Sequence, residues 1–278
     1  MQRAIINWYK KNKRDLPWRK TTPWGVLLSE YMLQQTPVTR VLPIWGEWIK
    51  RWPTPRHLAK AKRSELLKAW GSLGYPTRAL RLHQTATILA TQYKNEVPTT
   101  IEELRKLPGI GEYSAAAIYS FAFNKRALVL DINIRRLFTR AIDGKEFPPL
   151  HITNTERTNR ETLIPKDAAL FAAATMELGA LICTSKNPKC EACPIKNKCE
   201  WRKRDYPRSK NAKKTQAWHG TNRQCRGLIL DKLRNKPKVE LNEILSLCSD
   251  NTQLYFCLEM LQNEGFIKLE NNFYSLFD

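Results

Sequence analysis

Four cysteines crowd into one stretch, Cys183-x6-Cys190-x2-Cys193-x5-Cys199. Soft thiolates gathered in a short loop are the donor set of a metal centre, and both zinc and a 4Fe-4S cluster accept four of them. Pro188 and Pro194 keep the loop out of helix, and Lys186, Lys189, Lys196 and Lys198 surround the ligands. Such lysines would offset the net charge of about −2 on a four-thiolate cubane. Two carboxylates stand in apolar surroundings: Glu30 within Val26-Leu27-Leu28-Ser29-Glu30-Tyr31-Met32-Leu33, and Asp131 directly after Ala127-Leu128-Val129-Leu130. A carboxylate so placed caps a helix, pairs with an arginine such as Arg135, or carries a shifted pKa used in chemistry. Asp131 precedes an expected helix over residues 132–139, so capping is its simplest role. Leu107-Pro108-Gly109-Ile110-Gly111 lies between expected helices over 101–106 and 113–123. Its glycines allow a tight turn whose outward amides suit a phosphate oxygen, although such turns also merely join packed helices.

The elements that must position these groups read mainly as helix. Apolar residues at helical spacing, punctuated by Pro and Gly, mark the stretch ending in Glu47-Trp48-Ile49 and the runs 57–71 and 78–93. No sustained two-residue alternation occurs before the last few dozen residues. An α-helical body over 1–200, containing the cysteine loop 183–199, is therefore expected. A basic linker follows over 201–216, and a C-terminal module over 217–278. In that module Leu228, Ile229 and Leu233 suggest one helix, 241–248 a second, and Leu254, Cys257, Leu258 and Leu261 a third that stops at Gly265. Ile267, Leu269 and residues 273–276 alternate about Asn271-Asn272 as a small hairpin. Three helices and a hairpin make a winged-helix-like α+β tail; a helical cap over an apolar face of the body is the alternative.

The chain has 278 residues and a formal charge of +21, with 42% hydrophobic and 10% aromatic residues. That composition excludes a disordered polybasic chain and points to a globular protein with a polyanionic partner. No apolar run reaches the roughly 18 residues needed to span a bilayer, and the first residues lack a signal-peptide core. A cytoplasmic, nucleoid-associated monomer without membrane contact is expected. Seven cysteines in a leaderless chain argue against a secreted disulfide framework.

Taken in order, Ser29-Glu30-Tyr31-Met32-Leu33-Gln34-Gln35-Thr36, Leu73-Gly74-Tyr75, Leu107-Pro108-Gly109-Ile110-Gly111, Val129-Leu130-Asp131-Ile132-Asn133 and the four-cysteine loop resemble the MutY-type adenine DNA glycosylases of the helix-hairpin-helix family. The resemblance covers about residues 5–200. It implies a mainly α, two-lobed glycosylase fold and a 4Fe-4S cluster on Cys183, Cys190, Cys193 and Cys199, with zinc as the competitor. It also implies removal of adenine mispaired with 8-oxoguanine or guanine in double-stranded DNA. Within that likeness Glu30 is the general acid, Asp131 the carboxylate that stabilises the sugar cation, and Asn133 the residue organising the pair. Tyr113 stands where bifunctional relatives carry a lysine, which implies a glycosylase without a Schiff-base step.

The likeness further places Gln35 and Tyr75 beside the orphaned base, and Arg14, Leu16, Trp18, Arg19 and Glu177 in the adenine pocket. Leu107, Gly109 and Gly111 would hold the DNA backbone. For the pocket set, core packing or a surface ion pair is the competing account. Pro76 replaces a second aromatic after Tyr75, and the residues after Cys199 do not resemble the Nudix-like domain of longer relatives. They look like the tail of short actinobacterial members. A thymine or uracil mismatch glycosylase on the same scaffold, and a non-catalytic DNA-binding regulator, are the alternative readings.

Overall fold

The computed structural model describes residues 1–209 and 218–278, so part of the expected basic linker, 210–217, lies outside the described residues. The chain begins with α1 (Gln2–Asn12) and α2 (Pro23–Leu33), and continues through α3 (Val38–Arg51), α4 (Pro55–Ala59), α5 (Arg63–Trp70) and α6 (Thr77–Gln92). It then forms α7 (Ile101–Lys106), α8 (Glu112–Phe123), α9 (Ile132–Phe138), α10 (Asn154–Glu161), α11 (Ala168–Leu181) and α12 (Glu200–Lys203). The last part holds α13 (Asn222–Asn235), β1 (Val239–Glu240), α14 (Leu241–Leu245), α15 (Asn251–Asn263), β2 (Ile267–Glu270) and β3 (Phe273–Leu276). The expected run 57–71 is broken at residues 60–62 into α4 and α5.

Packing does not follow chain order. One compact unit joins Met1–Glu30 to the described chain from Val97 to Ser209; the other joins Tyr31–Glu96 to the C-terminal module. The boundary falls inside α2, immediately after Glu30.

In the first unit α1 and α9 pack on α11, and Ile5, Tyr9, Ile134, Leu137, Phe171 and Leu178 belong to one core. Alanine-rich α11 lets its neighbours come close. A Cβ on Gly179 would stand 2.7 Å from the Asn133 carbonyl oxygen, so only glycine allows α9 this approach. Thr100 starts α7 by accepting from the Glu103 amide, and Thr153 starts α10 by accepting from Glu156. The stretch expected to be linker from Trp201 begins in packed structure instead. Trp201 is buried, meets Tyr206 edge-on at 5.0 Å, and donates its indole N–H to the Pro207 carbonyl.

In the second unit α4 and α5 pack on α6. Trp48 meets Trp52 and Trp70 edge to face at 4.7 and 5.5 Å. The sheet has the order β1-β3-β2 with both pairings antiparallel, and Asn271 and Asn272, both at positive φ, make the expected turn. The helix–strand–helix–helix–hairpin order is that of a winged helix. The module also covers α5: Leu67 belongs to its core, and Arg234 Nε donates to the Leu67 carbonyl at 3.1 Å. Winged helix and cap are thus compatible descriptions of this segment. Cys225 and Cys248 are bridged within it.

Candidate active site

α2 is buried on nearly every side, and Glu30 within it is 7% exposed. Burial and the neighbouring charge of Asp131 push Glu30 up to about 8, against an opposing hydrogen bond from the Tyr113 hydroxyl. Tyr113 reaches it from the first turn of α8, directly beyond the glycine turn. Gly109 adopts φ 83°, a left-handed conformation that favours glycine, and Leu107 and Ile110 are buried beneath the turn.

Asp131 is the N-cap of α9. Its Oδ1 accepts from the Ile134 amide at 2.6 Å and its Oδ2 from Asn133 Nδ2 at 2.7 Å. Burial pushes this carboxyl up too, whereas those hydrogen bonds and the Arg136 guanidinium hold it back. Desolvation is the larger influence. The relative order still follows from the donor count. Glu30 has one phenol to stabilise its charge, whereas Asp131 accepts from the Ile134 amide and from the Asn133 amide and carboxamide and has the Arg136 charge nearby, so a proton shared by the pair belongs on Glu30. Arg135 does not serve Asp131, for it makes a buried bidentate pair with Glu156 at 2.7 Å.

Arg136, which sequence reasoning missed, orients Asn133. Its Nη2 donates to Asn133 Oδ1 at 2.9 Å and to the Gly179 carbonyl at 2.7 Å, while Nε donates to the Cys183 carbonyl at 2.7 Å. A continuous chain of hydrogen bonds therefore joins Asp131 to the cysteine loop. Its signal was an arginine one helical turn after Asn133, unremarkable in so basic a chain.

Cys183, Cys190, Cys193 and Cys199 line one cavity with Arg140, Ile195 and Trp201. Among the described residues no three His, Cys, Asp or Glu side chains converge on a single metal-ion position. One zinc ion needs four sulfurs at about 2.3 Å from one point, whereas a cubane places each thiolate on a different iron. Four thiols lining one cavity are a donor set that either centre could draw on. Burial and the neighbouring thiols raise Cys183 and Cys190, and burial raises Cys193 to about 11. Arg140 supplies part of the compensating charge. It is 1% exposed, lies 3.5 Å from the Cys183 sulfur, and stacks at 4.4 Å over Trp201. The flanking lysines lie farther out: Lys196 pairs with Glu191 at the surface.

The expected pocket residues separate into two groups. Leu16 and Trp18 are buried core side chains. Arg14, Arg19 and Glu177 form a locked cluster: Glu177 accepts from the Arg14 amide, Nε and Nη2 and from Arg19 Nη2, at 2.8–2.9 Å. Burial alone would raise Glu177, but the Arg14 hydrogen bonds and the charges of Arg19 and Arg14 hold it below the usual carboxylate value.

In the second unit Gln35 and Tyr75 are exposed, and both take positive φ, 55° and 47°. Their turns share one buried tie that sequence reasoning missed. The Arg78 guanidinium donates to the carbonyls of Tyr31, Met32, Gln34, Leu73 and Gly74 and to the Thr36 hydroxyl. It also lies over the rings of Trp70 and Tyr75 at 5.2 and 5.6 Å.

A hairpin turn between α7 and α8 beside two buried carboxyls, Glu30 and Asp131, is the arrangement of a helix-hairpin-helix base-excision protein. Residues 28–160 match the HhH-GPD superfamily of base excision DNA repair proteins. The chain is 42% identical over 270 residues to the adenine DNA glycosylase of Mycolicibacterium smegmatis, covering 95% of this chain and 91% of that one. It is 45% identical over 235 residues to that of Mycobacterium tuberculosis, covering 83% and 77%. A solved thermostable thymine-DNA glycosylase is 28% identical with TM-score 0.67, over 73% of this chain and 95% of that one. A non-covalent Endonuclease III–DNA complex shares the fold at 21% identity and TM-score 0.63, over 74% and 95%. The chain belongs to the adenine DNA glycosylase family. No helix among the described residues is long and apolar enough to cross a membrane.

Proposed function

We propose that this monomeric protein hydrolyses the N-glycosidic bond of adenine mispaired with 8-oxoguanine or guanine in duplex DNA, at the nucleoid, and leaves an abasic site. One arrangement carries the reading: a buried Glu30 whose partner is the Tyr113 phenol, beside an Asp131 that accepts hydrogen bonds from the Ile134 amide and the Asn133 carboxamide. Bond cleavage needs the target nucleotide outside the stack, where both carboxyls can reach it. Glu30 gives its proton to a ring nitrogen of adenine, and the bond from C1′ to the base breaks with its electron pair leaving on the purine. Asp131 stabilises the positive sugar until water adds to C1′ and passes its proton to the Glu30 carboxylate, restoring the acid. Asn133 holds Asp131 in place, and Tyr113 holds Glu30. A phenol forms no imine, so the sugar–phosphate backbone stays intact.

Arg14, Leu16, Trp18, Arg19 and Glu177 shape the wall on which the adenine rests, the Arg–Glu cluster fixing the loop between α1 and α2. The turn Leu107-Pro108-Gly109-Ile110-Gly111 takes a DNA phosphate at the start of α8, and Gln35 and Tyr75 fill the gap beside the orphaned base. Cys183, Cys190, Cys193 and Cys199 would hold a 4Fe-4S cluster, which when bound cross-links the loop that receives the Arg136 hydrogen bond. Glu30 also favours adenine over thymine as substrate, because a purine needs protonation to leave and thymine departs more readily as an anion.

Single-turnover incubation with duplexes carrying A opposite 8-oxoguanine, A opposite guanine, T opposite guanine, and uracil tests the reading. Release of adenine from the first two is expected, with alkali-labile abasic products and no borohydride-trapped adduct. Preferential cleavage of the thymine or uracil duplex, or a trapped adduct, overturns it.

A further inference from the structure

The C-terminal module does more than cover α5. Its first helix, α13, packs on the turn Gly71–Leu73 that leads into Tyr75. Arg223, in the first turn of α13, directs Nη1 to the Tyr75 hydroxyl at 3.5 Å, and its guanidinium lies 4.9 Å from the ring centre of Trp218. Phenol, guanidinium and indole thus form one continuous set of planar groups. Tyr75 and Trp218 stay open to solvent, at 47% and 48% exposure. The start of α13 is fixed from below: Thr221 caps it, Gln253 Nε2 donates to Asn222 Oδ1 at 2.8 Å and to the Gly220 carbonyl at 3.0 Å, and Cys225 is buried and bridged to Cys248.

We propose that Trp218 and Arg223 extend the surface begun by Tyr75 into a stacking platform for a nucleobase of the strand opposite the excised adenine. The occupant follows from chemistry and continuity. Flat aromatic and guanidinium faces take unpaired bases without regard to sequence, the chain is strongly cationic, and Tyr75 already belongs to the proposed DNA surface. The proposal rests on that reading of Tyr75. The platform gives the C-terminal module a direct part in holding the opened duplex.

The test uses the full-length protein and a duplex in which an uncleavable adenine analogue faces 8-oxoguanine, measured beside a fully paired duplex at one salt concentration. Trp218→Ala and Arg223→Ala should weaken binding to the mispaired duplex by roughly ten-fold or more, with little change on the paired one. Trp218→Phe should restore most of the loss, and Arg223→Lys should not, because a point charge offers no plane. Melting temperatures of all four should match the parent, since both positions are exposed. Binding within two-fold of the parent, equal losses on both duplexes, or full rescue by lysine overturns the platform. Failure of the parent protein to release adenine would instead overturn the enzymatic reading, and the binding comparison would still decide the platform.

Discussion

Replacing Glu30 by Gln separates the chemistry of this carboxyl from its burial. The wild-type group titrates near 8 instead of its ordinary 4.5 because it is desolvated next to Asp131. Between those two values the folded state keeps a proton that the unfolded state has released, so stability falls as pH rises through that window and levels off above about 8. With about 1.4 kcal/mol per unit, the accumulated penalty at neutral pH is on the order of 3 kcal/mol. A neutral, nearly isosteric amide escapes it. Glu30→Gln should therefore be more stable than the parent by up to about 3 kcal/mol at pH 7, and by about 1 kcal/mol or less at pH 5, in urea denaturation at the two pH values.

The same variant should bind a mispaired duplex normally and lose roughly 10²- to 10⁴-fold in single-turnover excision, the range for a missing general acid. In the parent, that rate should hold to about pH 7 and drop roughly ten-fold by about pH 9 as Glu30 ionises. A parent rate that is flat or rising across this range, or a stability gain of the Gln variant over the parent no larger at pH 7 than at pH 5, would refute the assignment of the proton to Glu30.

Asp131→Asn should keep the cap on Ile134, since Asn is itself a good N-cap, and stay within about 1 kcal/mol of parental stability while excision collapses; a variant retaining most of its rate would show that the charge is dispensable. Gly179→Ala puts a methyl 2.7 Å from the Asn133 carbonyl, so it should cost about 1–3 kcal/mol by overpacking and slow single-turnover excision more than it weakens duplex binding. Arg78→Met strands several buried carbonyls at about 1–3 kcal/mol each, so a stability loss of about 3 kcal/mol or more should accompany weaker binding to mispaired DNA, with Arg78→Lys rescuing little; calorimetry and a binding titration check both.

The helices were legible because their apolar spacing and Pro–Gly punctuation report local physics. The hairpin about Asn271-Asn272 was legible for the same reason, whereas β1, a two-residue strand, leaves no alternation to detect. The break between α4 and α5 was hidden because Ala59 and Ala61 keep the composition helical across it. Among the site residues, Glu30, Asp131 and the cysteines announced themselves by being out of place: carboxylates in apolar runs, four thiols in one loop. Arg78, Arg136 and Arg140 gave no such signal. They are three arginines in a chain holding 47 Lys and Arg, and only tertiary structure separates a buried guanidinium that organises six oxygens from one dissolved at the surface. Arg14, Arg19 and Glu177 were brought together only by the family likeness, since their positions lie at opposite ends of the first unit's sequence and no local pattern pairs them.

The fold itself accounts for the unequal treatment of two chemically similar acids. A helix start must satisfy its first amides, and Asp131 does so for α9; the donors that let α9 begin are the donors that favour a negative charge there. Glu30 sits within α2, where amides are already committed to the helix ladder and the surroundings are aliphatic, so its neutral form is favoured. Position relative to a helix end thus sorts proton from charge without any group dedicated to the purpose. It also explains why Asn133 and Gly179 belong to the same device. Holding α9 close against α11 keeps the cap, its carboxamide partner and Arg136 in register, and the first unit's core maintains that spacing.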